Sequence, residues 1–161
     1  MIRKLQYSDS GAVLEIYQQG LDTGEASFEI EAPNWETWQA KYLSHSRLVW
    51  EQDDKIKGWA ALAPVSVRDC YRGVAEVSIY VATVSLGKGL GSKLMARLVE
   101  ESERHGIWSL YSSIFSENQA TLKLHLKHGF REVGIRERIA QRDGRWRNTL
   151  ILERRSKKVG V

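Results

Sequence analysis

The sequence is short of cysteine and proline and has no long apolar run, and these shortages exclude several kinds of protein. Cys70 is its one cysteine, so the chain has no internal disulfide and no multi-cysteine metal site. No run of about 18 apolar residues is present, which argues against a membrane-spanning helix. The opening segment, MIRKLQYSDSG, lacks the apolar core of a secretion signal. We therefore expect a cytoplasmic protein that does not act at a membrane.

What is present is typical of one globular domain. Hydrophobic residues make up 42% and charged residues 27% of the 161-residue chain, which is the balance of a protein with a buried core. No internal repeat, low-complexity tract or linker is evident. We expect a single domain over residues 1–161, in which residues 155–161 form a frayed basic tail.

The charge of the chain is basic but dispersed. The formal net charge is +4, and basic residues are dense only in RERIAQRDGRWRN and in the tail ERRSKK. A nucleic-acid-binding protein usually concentrates its basic residues on one face or along one helix. We therefore expect no nucleic acid as partner.

Apolar periodicity divides the chain into strands and helices in the order β-α-α-β-β-β-α-β-α-β-β. AEVSIYV is rich in β-branched residues, as strands are, and the turns DDK and RDG each predict a hairpin. Three residues of the type that caps helices precede helical segments: Ser10, Asn34 and Ser116. Strands interleaved with helices in this way predict an α/β (α+β mixed) fold with a mixed central sheet.

The stretch SLGKGLGSKLM, residues 85–95, carries three closely spaced glycines between a predicted strand and a predicted helix. Free N–H groups and the helix dipole favour an anion at a helix N-terminus. Glycines let the backbone approach phosphate oxygens closely. The spacing fits neither the dinucleotide-binding G-x-G-x-x-G pattern nor a Walker loop. We expect a different pyrophosphate site, the alternative being a glycine-rich turn without a ligand.

The longer stretch EVSIYVATVSLGKGLGSKLM resembles the coenzyme A signature of the GNAT superfamily of N-acetyltransferases, [RQ]-x-x-G-x-[GA] between a strand and a helix. Gly89 and Gly91 match its last two places, whereas Leu86 stands where the family has Arg or Gln. The resemblance implies a GNAT fold, with a twisted sheet whose parallel strands, 75–81 and 109–114, splay apart, and with helices on both faces. It also implies acetyl-CoA as co-substrate.

In that fold the coenzyme would lie in the notch between the splayed strands. Backbone groups of Ile79 and Val81 would bind the pantetheine arm and the thioester carbonyl, where an N–H would become an oxyanion donor. The pyrophosphate would be held by the amides of the glycine stretch, with added charge from the lysine: Gly87, Lys88, Gly89, Leu90, Gly91 and Ser92.

Four further stretches resemble the phosphinothricin acetyltransferase-like branch of the superfamily. They are ASFEIEAPNWETW, VRDCYRGVAEVSIYV, SENQATLKLHLKHGF and DGRWRN, although Asn148 in the last replaces a common Asp. The branch implies transfer of acetyl to the amine of a small amino acid analogue, such as phosphinothricin, methionine sulfoximine or methionine sulfone. It also implies a homodimer.

Two residues are expected to be catalytic. Glu76, which matches the branch, is expected to take the proton of the ammonium substrate, directly or through water. The alternative is a solvated strand-end charge paired with Arg68 or Arg72. His125 would donate to the leaving thiolate or bond the coenzyme, the alternative being packing on the apolar face of its helix.

The remaining site residues are expected to bind ligands. Asn118 would bond the pantetheine amides, unless it only caps its helix. Arg68 would bind an anionic group of the acceptor through two hydrogen bonds, with Tyr71 beside it and Phe28 walling the substrate side chain. For these three the alternatives are a solvated arginine and ordinary packing aromatics. The histidines lack partners at metal-binding spacing, so no metal is expected.

Two other functions remain open from the sequence. The first keeps the chemistry but changes the acceptor to a polyamine, an aminoglycoside or a protein N-terminus. The second is a coenzyme A-binding regulatory or nucleic-acid-binding module without catalysis. Acceptor-dependent turnover distinguishes both enzyme alternatives from the module.

Overall fold

The computed structural model describes residues 1–161 and contains one seven-stranded sheet and four α-helices. The strands are β1 (Ile2–Lys4), β2 (Leu48–Gln52), β3 (Lys55–Pro64), β4 (Val74–Val81), β5 (Ser109–Phe115), β6 (Arg131–Arg142) and β7 (Arg145–Arg155). The helices are α1 (Ser10–Asp22), α2 (Trp35–Lys41), α3 (Leu90–Arg104) and α4 (Gln119–Lys127). The predicted order of elements and the mixed α/β class are confirmed.

The sheet has the strand order β1-β2-β3-β4-β5-β7-β6. Every neighbouring pair is antiparallel except β4 and β5, which run parallel at the centre. Both predicted hairpins form: Asp53 and Asp54 connect β2 to β3, and Asp143 and Gly144 connect β6 to β7. All four of these turn residues have positive φ, as a two-residue hairpin turn matching the strand twist requires.

The two faces of the sheet bury different cores. Alternate residues of β3 point to opposite faces, so that Leu62 lies in one core cluster and Trp59 in the other. The first core is aliphatic and includes Leu94 and Leu98 of α3. The second is rich in aromatic residues contributed by the first two helices and the sheet, as the following buried side chains show: Tyr17, Trp38, Tyr42 and Trp59. Helices therefore cover both faces.

Two helices begin one or two residues from where the sequence predicts. The N-cap of α1 is Asp9 rather than Ser10, and the Asp9 carboxylate accepts hydrogen bonds from the Gln6 amide and the Arg3 guanidinium. The N-cap of α4 is Asn118 rather than Ser116, because the Asn118 side chain accepts from the Thr121 amide at 3.2 Å.

The C-terminal residues are held against the sheet rather than frayed. Ser156 is buried, and its hydroxyl donates to the Glu103 carboxylate at 2.9 Å. The Arg155 guanidinium donates to the carbonyls of Val159 and Gly160. The prediction of a frayed tail therefore does not match the structure, because buried partners hold the residues that charge alone would leave in solvent.

Candidate functional site

The central strands β4 and β5 separate halfway along their length. They pair only from Val74 with Ser109 to Glu76 with Tyr111. Beyond this point residues 77–81 stay paired with β3, and residues 112–115 stay paired with β7. A notch therefore opens in the middle of the sheet, at the point where residues 75–81 and 109–114 are expected to splay.

The backbone of β4 offers hydrogen-bonding groups to this notch. The Ala82 amide donates to the Lys57 carbonyl on the β3 side. Hydrogen bonding alternates along an antiparallel ladder, and Ile79 pairs with Ala60 while Val81 pairs with Gly58. The N–H and C=O groups of Ile79 and Val81 therefore face away from β3, toward the gap left by β5.

The glycine stretch leads from β4 into α3 and leaves its amides free. Gly87 and Gly89 have φ of 73° and 79°, a left-handed conformation that glycine adopts without a Cβ penalty. Gly89 is the N-cap of α3 and provides no side-chain cap. None of the amides of residues 87–92 donates a hydrogen bond within the protein. They form a row of donors at the positive end of a helix, which suits an anion.

A cavity of about 440 Å³ occupies the notch and extends to both faces of the sheet. Its wall includes these residues expected from the sequence: Phe28, Glu76, Ile79, Val81, Asn118 and His125. Leu86, which departs from the family signature, also lines it. The stretch from Gly87 to Ser92 lies next to Leu86 but outside the wall.

Arg68 and Tyr71 lie away from the cavity. Both are exposed, and the Arg68 guanidinium lies over the Tyr71 ring at 5.4 Å from its centroid. Arg72 pairs with Asp69 at the surface rather than with Glu76. Residues 68–72 therefore form an exposed turn, and none of their side chains lies in the cavity wall.

His125 presents one unpartnered ring nitrogen in the cavity wall. The residue is 5% exposed, and its Nδ1 lies 2.7 Å from the Thr121 carbonyl. A carbonyl only accepts, so Nδ1 carries the proton and Nε2 of the neutral ring is an acceptor. Nε2 is buried without a hydrogen-bond partner. Burial lowers the pKa of His125, which favours this neutral form and a hydrogen bond accepted from a ligand N–H or O–H.

Glu76 lies on β4 and contributes a carboxylate to the cavity wall. Its side chain is half-buried and makes no hydrogen bond or ion pair within the protein. Burial raises the pKa of Glu76, Lys41 opposes that rise, and Glu29 adds to it. A carboxyl group with a raised pKa is a stronger base than a solvated one. The alternative of a structural pair with Arg68 or Arg72 is not what the structure shows.

On the face of the sheet that α1 and α2 cover, Tyr17, Glu29 and Lys41 form a cluster of polar side chains near Glu76. The Tyr17 hydroxyl donates to Glu29 at 3.0 Å and accepts from the Lys41 ammonium at 3.3 Å. The Tyr42 hydroxyl donates to the Ser78 hydroxyl at 3.1 Å. Lys41 is not among the residues predicted from the sequence. A signal existed, since Lys41 follows Trp38 by three positions and so shares its helix face.

Two buried arginines of the last hairpin hold the loop that follows α1. The Arg147 guanidinium, on a side chain 6% exposed, donates to the Glu25 carboxylate at 3.1 Å and the Glu117 carboxylate at 3.2 Å. The Arg142 guanidinium donates to the Glu29 carbonyl at 2.6 Å. These contacts fix the cavity wall on the loop side, and neither arginine was among the residues predicted from the sequence.

Asn118 lies where that loop meets the cavity. Besides capping α4, its side-chain amide donates to the Glu25 carbonyl at 3.3 Å. Beside it, the Phe28 and Phe115 rings meet edge to face with centroids 4.9 Å apart. Asn118 therefore has structural partners for both ends of its amide, although it also lines the cavity.

Other kinds of site are not evident. No three His, Cys, Asp or Glu side chains come together in a way that would hold a metal ion. None of the helices has the length and apolar character needed to cross a membrane.

Comparison with known proteins gives matches over nearly the whole chain. The profile of the acetyltransferase (GNAT) family matches residues 12–130. Phosphinothricin N-acetyltransferase of Alcaligenes faecalis is 34% identical, over 95% of this chain and 81% of that protein. The L-methionine sulfoximine/L-methionine sulfone acetyltransferase of Salmonella typhimurium is 29% identical, over 94% of this chain and 92% of that protein.

The fold is also similar to solved structures. The structure of the Salmonella typhimurium protein YncA with its cofactor acetyl-CoA superposes with a TM-score of 0.91. The match covers 100% of this chain and 96% of that one at 27% identity.

Proposed function

Because the chain belongs to the acetyltransferase (GNAT) family and is an acetyl-CoA-dependent N-acetyltransferase, we propose that it acetylates the amino group of small amino acid analogues. The acceptors would be of the phosphinothricin, methionine sulfoximine or methionine sulfone type. The observation that carries the proposal is Glu76, a half-buried and unpaired carboxylate in the same cavity as the notch of β4.

The residues of the notch fit acetyl-CoA. The free amides of Gly87, Lys88, Gly89, Leu90, Gly91 and Ser92 suit its pyrophosphate. The outward backbone groups of Ile79 and Val81 suit the amides of its pantetheine arm. The unpartnered Nε2 of His125 would accept a hydrogen bond from the same arm. Acetyl-CoA, when bound, supplies an activated acetyl thioester.

The proposed mechanism is direct transfer, in which each residue performs one task. Glu76 accepts the proton of the acceptor ammonium, directly or through water, since an ammonium has no lone pair with which to attack. The neutral amine then forms the new C–N bond as the C–S bond of the thioester breaks. The backbone N–H of Ile79 or Val81 stabilises the negative charge that develops on the carbonyl oxygen. The sulfur leaves as a thiolate, and the proton that the nitrogen loses as it becomes an amide converts the thiolate to the free thiol.

Release of free thiol from acetyl-CoA tests this proposal. The acceptors to compare are phosphinothricin, methionine sulfoximine, methionine sulfone, spermidine, an aminoglycoside and short peptides, each added alone. We expect release with the first three. Release only with one of the others would keep the reaction and replace the acceptor. Coenzyme A binding without acceptor-dependent release would instead support a non-catalytic module and contradict the proposal.

The proposed assembly is a homodimer. β6 is an edge strand of the sheet, and Val133, Ile135 and Ile139 on it are each at least half exposed, as is Trp146 on β7. Apolar side chains on an open sheet edge favour association with another chain. Sedimentation equilibrium would give a dimer for the wild type and a monomer for Ile135→Glu, and a monomeric wild type would contradict the proposal.

A further inference from the structure

Lys41 is the one lysine or arginine side chain in the wall of the cavity. It lies at the last residue of α2, on the face of the sheet where Glu76 and Ser78 point. The arginine that sequence reasoning assigned to an anionic group, Arg68, is exposed and outside the wall. Because burial lowers the pKa of His125 and favours its neutral form, Lys41 is the one cationic side chain that an acceptor in this cavity meets.

Contacts within the protein orient Lys41 without using all of its donors. Its ammonium donates to the Tyr17 hydroxyl at 3.3 Å and lies 3.8 Å from the Glu29 carboxylate. Both members of that ion pair are substantially exposed, at 40% for Lys41 and 51% for Glu29. A pair so exposed is weak, and an ammonium has three donor hydrogens. Lys41 is therefore positioned by Tyr17 but free to bind a second anion.

The charges around Lys41 match a zwitterion. The ionisable groups nearest to it are Glu29, Glu76, Tyr17 and Tyr42. The cavity wall also holds Glu25, Tyr80 and His125. The positive charge of Lys41 opposes the rise that burial causes in the pKa of Glu76. An α-amino acid carries an ammonium, which Glu76 would attract and deprotonate, next to a carboxylate, which Lys41 would attract. A polyamine offers no carboxylate and would instead be repelled by Lys41.

We propose that Lys41 binds the α-carboxylate of the acceptor and so selects amino acids over amines that lack an acid group. This inference rests on the proposed function and adds the residue that sets acceptor specificity. Lys41, at the end of α2, thereby takes the anion-binding role that the sequence pattern predicted for Arg68. Because charge-assisted hydrogen bonds are among the stronger contacts in proteins, the loss of Lys41 has a measurable cost.

The test compares methionine sulfone with its carboxamide, which keeps the amine but lacks the carboxylate. Lys41→Met should lower kcat/KM for the acid about 10- to 100-fold, mainly through KM, and change the value for the carboxamide less than about threefold. Lys41→Arg, which keeps the charge, should recover most of the loss. Lys55→Met, at the exposed start of β3, is the matched control for removing a lysine charge.

Two outcomes would overturn the inference. Equal losses for the acid and the carboxamide in Lys41→Met would mean that the side chain does not bind the carboxylate. A loss selective for the acid in Arg68→Met, with none in Lys41→Met, would give the role to Arg68. Far-ultraviolet circular dichroism of each variant checks folding, and the exposure of Lys41 predicts no change.

A binding measurement separates this inference from the proposed reaction. Calorimetry of methionine sulfone with the protein and coenzyme A reads the carboxylate contact without any turnover. Tighter binding of the acid than of the carboxamide, lost in Lys41→Met, would support the inference even if no acceptor were acetylated. Equal binding of the two by the wild type would overturn it, whether or not the protein turns over.

Discussion

The two sides of β4 differ in how they meet a ligand. On the α3 side, Ile79 and Val81 pack against the aliphatic core and present backbone groups to the notch. On the α1 and α2 side, Glu76 projects into the cavity near the polar atoms of Tyr17 and Lys41. In the proposed complex the α3 side, with Ile79 and Val81, is the cofactor side and would contact acetyl-CoA largely through the main chain. The α1 and α2 side, with Glu76 and Lys41, is the acceptor side and would contact the acceptor through side chains.

Ligand contacts made by the backbone tolerate substitutions that contacts made by side chains do not. A backbone N–H is supplied by every residue except proline, so Leu86 in place of the usual Arg or Gln leaves the row of free amides intact. A carboxylate or an ammonium is supplied by few residue types. We therefore expect substitutions on the acceptor side to change catalysis and acceptor choice, and those on the cofactor side to change affinity for acetyl-CoA.

The largest effect is expected at Glu76. Glu76→Gln keeps the size of the side chain but removes the base, so kcat should fall about 100-fold or more. Burial raises the pKa of Glu76, and the base acts when ionised. The wild-type rate should therefore rise with pH through a limb that lies above the usual glutamate range, and the Gln variant should lose that limb.

The pH profile of kcat for both proteins provides the measurement. Glu36→Gln, at an exposed position in the first turn of α2, is the matched control and should behave as wild type. An unchanged profile in Glu76→Gln would remove Glu76 as the base and would place the proton acceptor elsewhere in the cavity.

A smaller effect is expected at His125, on the cofactor side. His125→Phe removes the Nε2 acceptor but keeps an aromatic ring against Phe130, whose centroid lies 4.8 Å away. The loss of one hydrogen bond should raise the KM for acetyl-CoA about tenfold. Thermal stability should change little, because the substitution also removes a buried polar atom that has no partner.

Steady-state kinetics and equilibrium binding of coenzyme A distinguish the two roles of His125. His105→Phe, at the exposed end of α3, controls for loss of a histidine. A fall in kcat with unchanged affinity for coenzyme A would show that His125 donates to the leaving thiolate after all, against the neutral form that the Thr121 hydrogen bond favours.

Sequence patterns predicted the fold further than they predicted the acceptor side. Periodicity is a local property, and it identified the seven strands and four α-helices in the correct order. The coenzyme signature is also contiguous, so Gly89 could be placed at the start of α3 before the structure was known. Lys41, Tyr17 and Glu29 come from three separate segments, and only tertiary packing brings them together.

The sequence also did not predict which arginines are exposed and which are buried. Arg68 lies close to Glu76 in sequence, but the turn between β3 and β4 carries it to the surface. Arg147 reads as one of many basic residues in the last hairpin, yet it is buried between two carboxylates and a ring face. Charge in a sequence does not reveal whether a side chain is solvated or enclosed.

The smallest effect is expected at Gly89, which contributes to the cofactor side only through its backbone conformation. Gly89→Ala places a Cβ at φ of 79° with no atom within 4 Å, so the cost is conformational and not steric. The protein should lose about 1 kcal/mol of unfolding free energy, and the KM for acetyl-CoA should rise a few-fold as the amides shift.

Gly11→Ala, in α1 and equally open, should instead gain up to about 1 kcal/mol of unfolding free energy. Urea unfolding of both variants measures this contrast, and equal stabilities would mean that the left-handed backbone at Gly89 carries no strain that glycine relieves.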